Sequence, residues 1–396
     1  MTSRDKRIYL DHNASAPLLP EAREAAVAAL SLANPSSTHR EGRAARAVCE
    51  DARSAIVALV GAALPAENVV LTSGATEAAT QLLSPDWLID GTATTITRLA
   101  VIDTDHPATR EGGRFAETAI TRLAVDHHGI VDLAVLTRWL EAVDEPAMLA
   151  LSWANSETGV IQPVAEIRQA IADKPIILVL DAAQVAGRAT IAMDVSGADA
   201  VILSGHKVGA MKGAGAIVLK SLARRPFALL RGGGQERGLR SGTEALPAIA
   251  SFGAAAKALC EAGPAATNMM RGNRDHMERL LKARIPDLTI LGNEAERLPN
   301  TIAIMHPLIR AETAQIALDL AGIAVSAGSA CSSGKVGASH VVAAMAAAGL
   351  PIDAELGAIR VSFGRDTAKS ALERFVSAYE ELVARARAKA GRAFAA

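Results

Sequence analysis

From about residue 69 the chain alternates short apolar runs with amphipathic stretches, and this alternation constrains the fold more than any other feature. Helices are predicted between the apolar runs, for example from about Val164. Apolar strands separated by helices are typical of a mostly parallel sheet covered on both faces, whose ligands bind beyond the carboxyl ends of the strands. The predicted strands lie in "NVVLTSG", "RLAVIDTDH", "TAITRLAVD", "MLALSWAN", "IILVLDAAQ", "ADAVILSGHK" and "GAIVLK".

A run rich in glycine and arginine, "LLRGGGQERGLRSGTEA", follows these strands and leads into alanine-rich helical segments from about 245 to 285. Glycine runs of this kind cover a cleft or link domains. The C-terminal part contains the predicted strands "NTIAIMHP" and "AIRVSFG", a helix near "AETAQIALDLAG" and a final charged helix. We therefore predict a large domain over 15–255, and a smaller α+β domain formed by 1–14 and 256–396.

The charge balance argues for a small, discrete substrate. Lys and Arg number 41 against 42 Asp and Glu, so no nucleic-acid or membrane surface is expected. Half of the 396 residues are apolar, which is enough for a sizeable core. The N-terminus lacks the apolar stretch of a signal peptide, and the most apolar run, "HVVAAMAAAGLPI", is too short to span a bilayer. A cytoplasmic location is expected.

Three cysteines stand at wide spacing, which suggests neither a disulfide framework nor a pair of zinc ligands. Cys49 and Cys260 fall on helical apolar periodicity and are expected to be small buried side chains. Cys331 lies instead in "SAGSACSSGKVG", a segment too small and polar to form part of a core. We expect this loop, about 326–337, to be flexible and to carry a reactive thiol.

The segment "TSGATEA" after the first strand is a candidate anion site. Its backbone N–H groups stand at the start of a helix, where the helix dipole favours negative charge, and phosphate is the obvious ligand. Ser73 and Thr76 are equally well explained as ordinary N-cap residues. The motif is therefore weak by itself.

Other strand ends supply titratable and amide side chains. Asp181 and Lys207 each end or follow an apolar strand, where a charged group is costly unless it is paired or covalently used. A lysine shielded in this way is suited to form a Schiff base. The strand-end residues are Asp105, His106, Asn155, Asp181, Gln184, Ser204, His206 and Lys207.

An anion site, a strand-end carboxylate and a strand-end amine together match the needs of pyridoxal phosphate. The cofactor requires a phosphate cradle, a carboxylate near its pyridine nitrogen and a lysine for covalent attachment. A histidine from another strand end would stack on the ring. The alternative is a nucleotide-dependent α/β enzyme, but neither GxGxxG after the first strand nor GxxxxGK[ST] is present.

These motifs occur in an order and spacing that resembles the NifS/IscS-like cysteine desulfurases, which are class V, fold type I pyridoxal phosphate enzymes. The resemblance runs from Tyr9 to about Gly364. It implies a large domain with a mostly parallel seven-stranded sheet flanked by helices. The motifs are "YLDHNASAPLLP", "NPSSTHREGRAAR", "TSGATEA", "DHPA", "NSETG", "DAAQ", "SGHK", "GGGQERGLRSGTE", "SAGSACSS" and "IRVSFG".

The resemblance assigns roles around the cofactor. Lys207 would hold it covalently, Asp181 would pair with the pyridinium nitrogen, and His106 would stack on the ring and act in catalysis. Gln184 and Asn155 would bond the ring hydroxyl. Ala75, Thr76, Ser204 and His206 would bind the phosphate, and Thr243 would reach the phosphate in the partner subunit of a homodimer with shared active sites.

The resemblance also assigns the substrate side. Arg360, with Asn34 nearby and Asn155, would bind the carboxylate of L-cysteine, a task that suits a bidentate guanidinium. Cys331 would take the sulfur as a persulfide. Ala154, Ser156 and Ala327 depart from the family pattern, as does "SGHKVGAMKG", which lacks an aromatic residue and a proline after Lys207.

The implied activity converts L-cysteine to L-alanine and passes sulfur to an acceptor, such as an iron–sulfur scaffold protein. No metal is required, although Cys331 could transiently bind an iron–sulfur cluster. Two alternatives stay open on sequence grounds: a class V aminotransferase or lyase acting on another amino acid, and a non-catalytic scaffold that kept the fold. The sequence does not name the sulfur acceptor or the pathway.

Overall fold

The computed structural model describes residues 7–328 and 339–394. The predicted nucleophile Cys331 lies outside the described residues, as does most of its loop. The helices are α1 (Pro20–Ala29), α2 (Arg40–Leu59), α3 (Ala75–Leu82), α4 (Pro107–Arg110), α5 (Leu133–Glu141), α6 (Val164–Ala170), α7 (Met193–Ser196), α8 (Leu246–Arg284), α9 (Ala311–Leu320), α10 (His340–Ala347) and α11 (Lys369–Phe394).

The strands within 7–328 and 339–394 form four sheets. They are β1 (Ile8–Tyr9), β2 (Val69–Thr72), β3 (Asp86–Ile89), β4 (Thr92–Thr95), β5 (Leu99–Ile102), β6 (Ile120–Leu123), β7 (Ala147–Ser152), β8 (Ile176–Asp181), β9 (Ala200–Ser204), β10 (Gly215–Leu219), β11 (Arg224–Pro226), β12 (Thr289–Ile290), β13 (Thr301–Met305), β14 (Ile323–Ala324), β15 (Ser326–Ala327) and β16 (Ile359–Ser362). All seven strands predicted from the apolar runs after residue 69 are present.

The largest sheet has seven strands in the order β2-β10-β9-β8-β7-β5-β6. Strands β9, β8, β7, β5 and β6 run parallel to one another, whereas β10 is antiparallel to both β2 and β9. The predicted mostly parallel, seven-stranded α/β sheet is therefore confirmed.

The central strands are apolar at successive positions because both faces of the sheet are buried. In β8, Ile177 and Val179 pack in one apolar cluster while Leu178 and Leu180 pack in the cluster on the other face. All six residues of β8 are buried. Helices cover both faces, so a period-two polar pattern is absent from these strands.

A second core forms around the four-stranded antiparallel sheet β12-β13-β16-β15. Helices α9 and α11 and the C-terminal half of α8 contribute apolar side chains to it. Strand β1, near the N-terminus, pairs in parallel with β14, and Leu10, which follows it, packs in the same core. This arrangement agrees with an α+β unit that includes the N-terminus, although the domain boundaries stay a prediction.

Helix α8 connects the two cores. Phe252 packs with the first core, and Met277 and Leu281 pack with the second. Between them the helix is interrupted at Gly263, whose φ of 57° and ψ of −162° are not helical, and Pro264 follows. Proline removes a backbone donor and glycine accepts the positive φ, which explains the kink.

Two smaller findings complete the fold. Cys49 is buried as predicted, but the prediction that Cys260 is buried was wrong, since its side chain is exposed, in α8. Among the described residues, no helix is long and apolar enough to cross a membrane.

Candidate active site

The carboxyl ends of β5, β7, β8 and β9 meet at one edge of the large sheet, as parallel pairing requires. Ser152 at the end of β7 is paired with Asp181 at the end of β8. A cavity lies beside this edge. Residues from both cores line it: Asn13, Ala14, Thr104, Asp105, His106, Pro107, Ser156, Glu157, Lys207, His340, Val341 and Arg360.

Lys207 lies on a short 3-10 turn, Gly205–Lys207, directly after β9. Its Nζ donates to the backbone carbonyl of Asn13, and to that of Ala14 at 3.0 Å. The side chain is half-buried. The N-terminal segment thus faces the predicted reactive amine and holds it at the cavity.

Asp181 is a buried carboxyl group at the end of β8. Its Oδ1 accepts a hydrogen bond of 2.9 Å from the backbone N–H of Ala183. Burial raises the pKa of Asp181, and the hydrogen bond from Ala183 and the nearby positive charge of Lys207 oppose that rise. A buried carboxylate of this kind is stabilised by a cation, which a protonated ring nitrogen would supply.

His106 stands at the start of α4 and lines the cavity. Its Nδ1 accepts a hydrogen bond of 3.2 Å from the backbone N–H of Ala108. An accepting Nδ1 leaves the proton of the neutral ring on Nε2. The ring is therefore oriented by the backbone of its own turn.

The start of α3 is built as an anion site. The N-cap residue Gly74 has no capping side chain, and within the described residues nothing accepts the backbone N–H groups of Ala75 and Thr76. Gly215 packs so closely on Gly74 that an added Cβ would lie 2.5 Å from its carbonyl carbon. Because Gly215 is paired with Ser204, this contact brings the end of β9 to the start of α3.

Glu77 in the first turn of α3 does not oppose an anion there, because Arg240 neutralises it. Arg240 Nε donates to the Glu77 carboxylate at 2.9 Å, and the backbone N–H of Ser73 donates to it at 2.8 Å. Burial alone would raise the pKa of Glu77, but these two donors bring it below its ordinary value.

His206, the residue before the reactive lysine, is neutral at physiological pH. Burial, with the positive charges of Lys207, Lys212 and Arg188, lowers its pKa to about 4. Its Nδ1 lies 3.4 Å from the Ser15 hydroxyl oxygen. A neutral imidazole can donate one hydrogen bond to a phosphate without adding a charge.

The two amide side chains predicted at the ring are held firmly. Asn155 Oδ1 accepts from the backbone N–H groups of Glu157 and Thr158, both at 2.9 Å, and Nδ2 donates to the Thr104 carbonyl at 2.8 Å. Gln184 Nε2 donates to the Asn13 carbonyl at 3.1 Å. Each amide keeps one further N–H for a ligand.

Arg360 lies in β16 and extends into the cavity from the second core. Its Nη2 donates to Asp11 Oδ1 at 2.8 Å and to the Ser326 hydroxyl at 3.1 Å, and Nη1 donates to the Ser156 carbonyl at 3.1 Å. Its buried Nε has no partner among the described residues. An orphaned guanidinium N–H at a cavity indicates a missing acceptor.

Two predicted site residues lie elsewhere. Asn34 is exposed, accepts a hydrogen bond from the Ser36 backbone N–H, and does not line the cavity. Thr243 is also exposed, on the glycine- and arginine-rich segment. Within this chain the structure does not bring them to Lys207, and their roles stay predictions.

Sequence reasoning missed other residues at the cavity. Asn13 donates to Thr301 Oγ1 at 2.9 Å, and a ring nitrogen of His340 lies 2.9 Å from the Asp105 carbonyl oxygen. Both residues lie in motifs quoted above. The local sequence does not indicate their role, because the residues that they contact are more than two hundred positions away.

Asp105 is a buried carboxyl group that stabilises the strand ends next to the cavity. Its two carboxylate oxygens accept from the backbone N–H groups of Ile102 and Ser152, each at 2.7 Å, which ties the ends of β5 and β7 together. Complete burial raises its pKa to about 7, although these donors oppose the rise. We assign it a structural role next to His106.

Comparison with known proteins decides the family. The sequence model of the aminotransferase class-V family matches residues 8–375. The chain belongs to this family. A cysteine desulfurase of Cereibacter sphaeroides is 34% identical over 392 residues, covering 97% of each chain, and one of Trichormus azollae is 36% identical over 387 residues, covering 96% of this chain and 94% of the relative.

A solved structure agrees with the sequence relatives. A NifS-like protein from Rickettsia africae ESF-5 superimposes with a TM-score of 0.84 at 29% identity, covering 95% of this chain and 99% of that one. The resemblance to NifS/IscS-like class-V enzymes is thereby confirmed over nearly the whole length, as is the fold type I architecture.

Proposed function

We propose that this class-V enzyme is a pyridoxal phosphate-dependent cysteine desulfurase that converts L-cysteine to L-alanine. The observation that carries the proposal is the cavity where Lys207 and His106 from the large sheet meet Arg360 from the second core. A primary amine, an imidazole and a guanidinium facing one another beside a buried carboxylate form a site for an amino acid and an anionic aldehyde cofactor.

The residues present fit pyridoxal phosphate. The N–H groups of Ala75 and Thr76 offer a phosphate site without acceptors of their own, and Gly215 brings Ser204, at the end of β9, close to it. His206 would donate to the same phosphate, and the buried Asp181 carboxylate would pair with the ring nitrogen. The chemistry that the cofactor supplies when bound is an electron sink for the substrate's Cα.

The chain's own groups account for the remaining steps. Arg360 binds the substrate carboxylate and orients the amino acid, and the Lys207 amine accepts the Cα proton and returns it. The thiolate Sγ of Cys331 attacks the substrate sulfur, so an S–S bond forms as the Cβ–S bond breaks. The products are L-alanine and a Cys331 persulfide, and the atoms balance without an external oxidant.

Three further expectations belong to the proposal. We propose a homodimer in which the exposed Thr243 reaches the cofactor phosphate in the partner subunit. We also propose that the persulfide sulfur passes to an acceptor such as an iron–sulfur scaffold protein, in the cytoplasm. Size-exclusion chromatography with light scattering tests the first of these expectations.

The function is tested by incubating the purified protein with pyridoxal phosphate, L-cysteine and a thiol reductant. We expect alanine and sulfide in equal amounts, because the reductant releases each persulfide sulfur as sulfide. A lyase acting at Cβ would instead yield sulfide with pyruvate and ammonia. Sulfide without alanine, or alanine without sulfide, would contradict the proposal.

Replacing Arg360 with lysine is expected to raise KM for L-cysteine at least about tenfold and to change kcat much less. A single ammonium cannot reproduce the bidentate geometry of the guanidinium, although the charge is kept. Steady-state kinetics on alanine formation measure this. The matched control is Arg23→Lys on the exposed surface of α1, which should leave both constants unchanged; an unaltered KM in Arg360→Lys would remove Arg360 from substrate binding.

A further inference from the structure

Arg188 is a buried guanidinium beneath the active site, only 5% exposed. Among the described residues it makes four hydrogen bonds, and every acceptor is a neutral oxygen. Nη1 donates to the Gln184 backbone carbonyl at 2.9 Å and to Gln184 Oε1 at 2.6 Å. Nη2 donates to the backbone carbonyls of His12 at 3.2 Å and Lys207 at 3.1 Å.

None of these partners carries a negative charge that would balance the guanidinium. A buried cation without a counter-ion is costly, and a packed apolar side chain would be more stable in its place. Burial, together with the charge of Arg360, lowers the pKa of Arg188 to about 10, so it is still positive at physiological pH. Since Arg188 is present despite this cost, we expect it to contribute to the function of the site beside it.

The first consequence is a fixed orientation for the Gln184 amide. A guanidinium only donates hydrogen bonds, so the amide edge facing Arg188 must be the accepting Oε1. The Nε2 edge is thereby turned away from Arg188, where one N–H reaches the Asn13 carbonyl. Whatever ligand meets Gln184 therefore meets an N–H donor and not a carbonyl.

The second consequence is electrostatic. Arg188 joins the loop after β8 to the backbone of Lys207, so its charge is held beside the turn that carries this lysine. Other charged or titratable groups face the same region: His12, His106, Asp181, His206, Lys207 and Arg360. Burial, together with the nearby charge of Arg188, lowers the pKa of His12 to about 4.

We propose that Arg188 is a positioning residue that fixes Gln184 as a hydrogen-bond donor and stabilises a negatively charged ring oxygen on the ligand bound there. The inference rests on the proposed function, in which that oxygen belongs to the pyridoxal ring. Arg188 does not touch the substrate; it acts through Gln184 and through the backbone of Lys207.

The test is a pH titration of the visible absorbance of the protein loaded with pyridoxal phosphate, without substrate. In Arg188→Met the apparent pKa of the bound chromophore should rise by about one unit, because a positive charge that disfavours its protonated form has been removed. Arg188→Lys keeps the charge and should titrate within a few tenths of a unit of the wild type. Arg23→Met, a surface change on α1, is the matched control.

A second variant keeps the inference testable if Arg188→Met does not fold, as judged by circular dichroism and thermal melting. Gln184→Glu is nearly isosteric, places a carboxylate against the guanidinium and removes the N–H donor. It should also raise the apparent pKa. An unchanged pKa in the folded Arg188→Met variant, or in Gln184→Glu, overturns the role of Arg188.

The outcomes separate the two claims. A wild-type protein that acquires no visible absorbance with pyridoxal phosphate contradicts the proposed function, and the inference about Arg188 with it. A wild-type protein that binds and titrates, with variants that titrate identically, overturns only the inference.

Discussion

Replacing Lys207 with alanine is expected to abolish covalent attachment of pyridoxal phosphate and to lower alanine formation by at least about a thousandfold. In the proposed function this amine both holds the cofactor and moves the Cα proton. Its place after β9, with Nζ bonded to the Asn13 and Ala14 carbonyls, fixes it at the cavity. Visible absorbance of the purified variant and alanine formation with L-cysteine measure the two effects.

The matched control is Lys257→Ala, which removes an exposed lysine from α8. It should bind the cofactor and turn over like the wild type. The thermal melting temperatures of the two variants show whether folding is intact. A Lys207→Ala protein that still reduces to a stable covalent adduct with borohydride would show that another amine holds the cofactor.

Replacing Cys331 with serine is expected to abolish sulfur transfer while leaving cofactor binding intact. A serine hydroxyl cannot form a persulfide, so the sulfur of bound L-cysteine has no acceptor on the enzyme. The other two thiols are poor substitutes. Burial raises the pKa of Cys49 to about 12, which suppresses its thiolate, and Cys260 lies in α8 and does not line the cavity that Lys207 lines.

Cys260→Ser is the control for this variant, because it removes an exposed thiol and should retain full activity. Alanine and sulfide are measured together for both proteins. Undiminished turnover of the amino acid by Cys331→Ser, with a keto acid formed in place of alanine, would favour an aminotransferase or lyase of the same family, and undiminished alanine formation would remove Cys331 from sulfur transfer. The absorbance of the loaded variant separates this result from loss of the cofactor.

The large sheet was predictable because its strands have an unambiguous pattern. Runs such as "IILVL" in β8 are buried on both faces, and no amphipathic helix produces five consecutive buried positions. The antiparallel direction of β10 was not predictable in the same way. The direction of β10 depends on the short connection from β9 through the turn that carries Lys207. The spacing of apolar residues along a strand does not predict the direction in which the strand runs.

One hairpin was missed although its signal is in the sequence. Strands β3 and β4 are joined by Asp90 and Gly91, with φ values of 51° and 84°. An Asp-Gly pair between short strands is the residue choice that a two-residue hairpin turn with positive φ requires. The segment was overlooked because "DWLIDGTATT" has few aliphatic residues.

The residues of the site likewise divide into those that the sequence predicted and those that it did not. Residues at the ends of parallel strands were predicted, since topology alone gathers them at one edge. The ion pair between Arg360 and Asp11 was not predicted, because it joins positions 349 residues apart in sequence, between the N-terminal segment and β16. Likewise, Arg188 gave no sequence signal, since its importance lies in the absence of an anionic partner among the residues around it.

The central claim is tested most directly by a single turnover with L-cysteine in the absence of reductant, followed by mass spectrometry of the peptide that carries Cys331. The account predicts that this peptide gains the mass of one sulfur atom while one equivalent of alanine forms per occupied active site. Alanine formation without added sulfur on Cys331, or persulfide confined to Cys49 or Cys260, would contradict it.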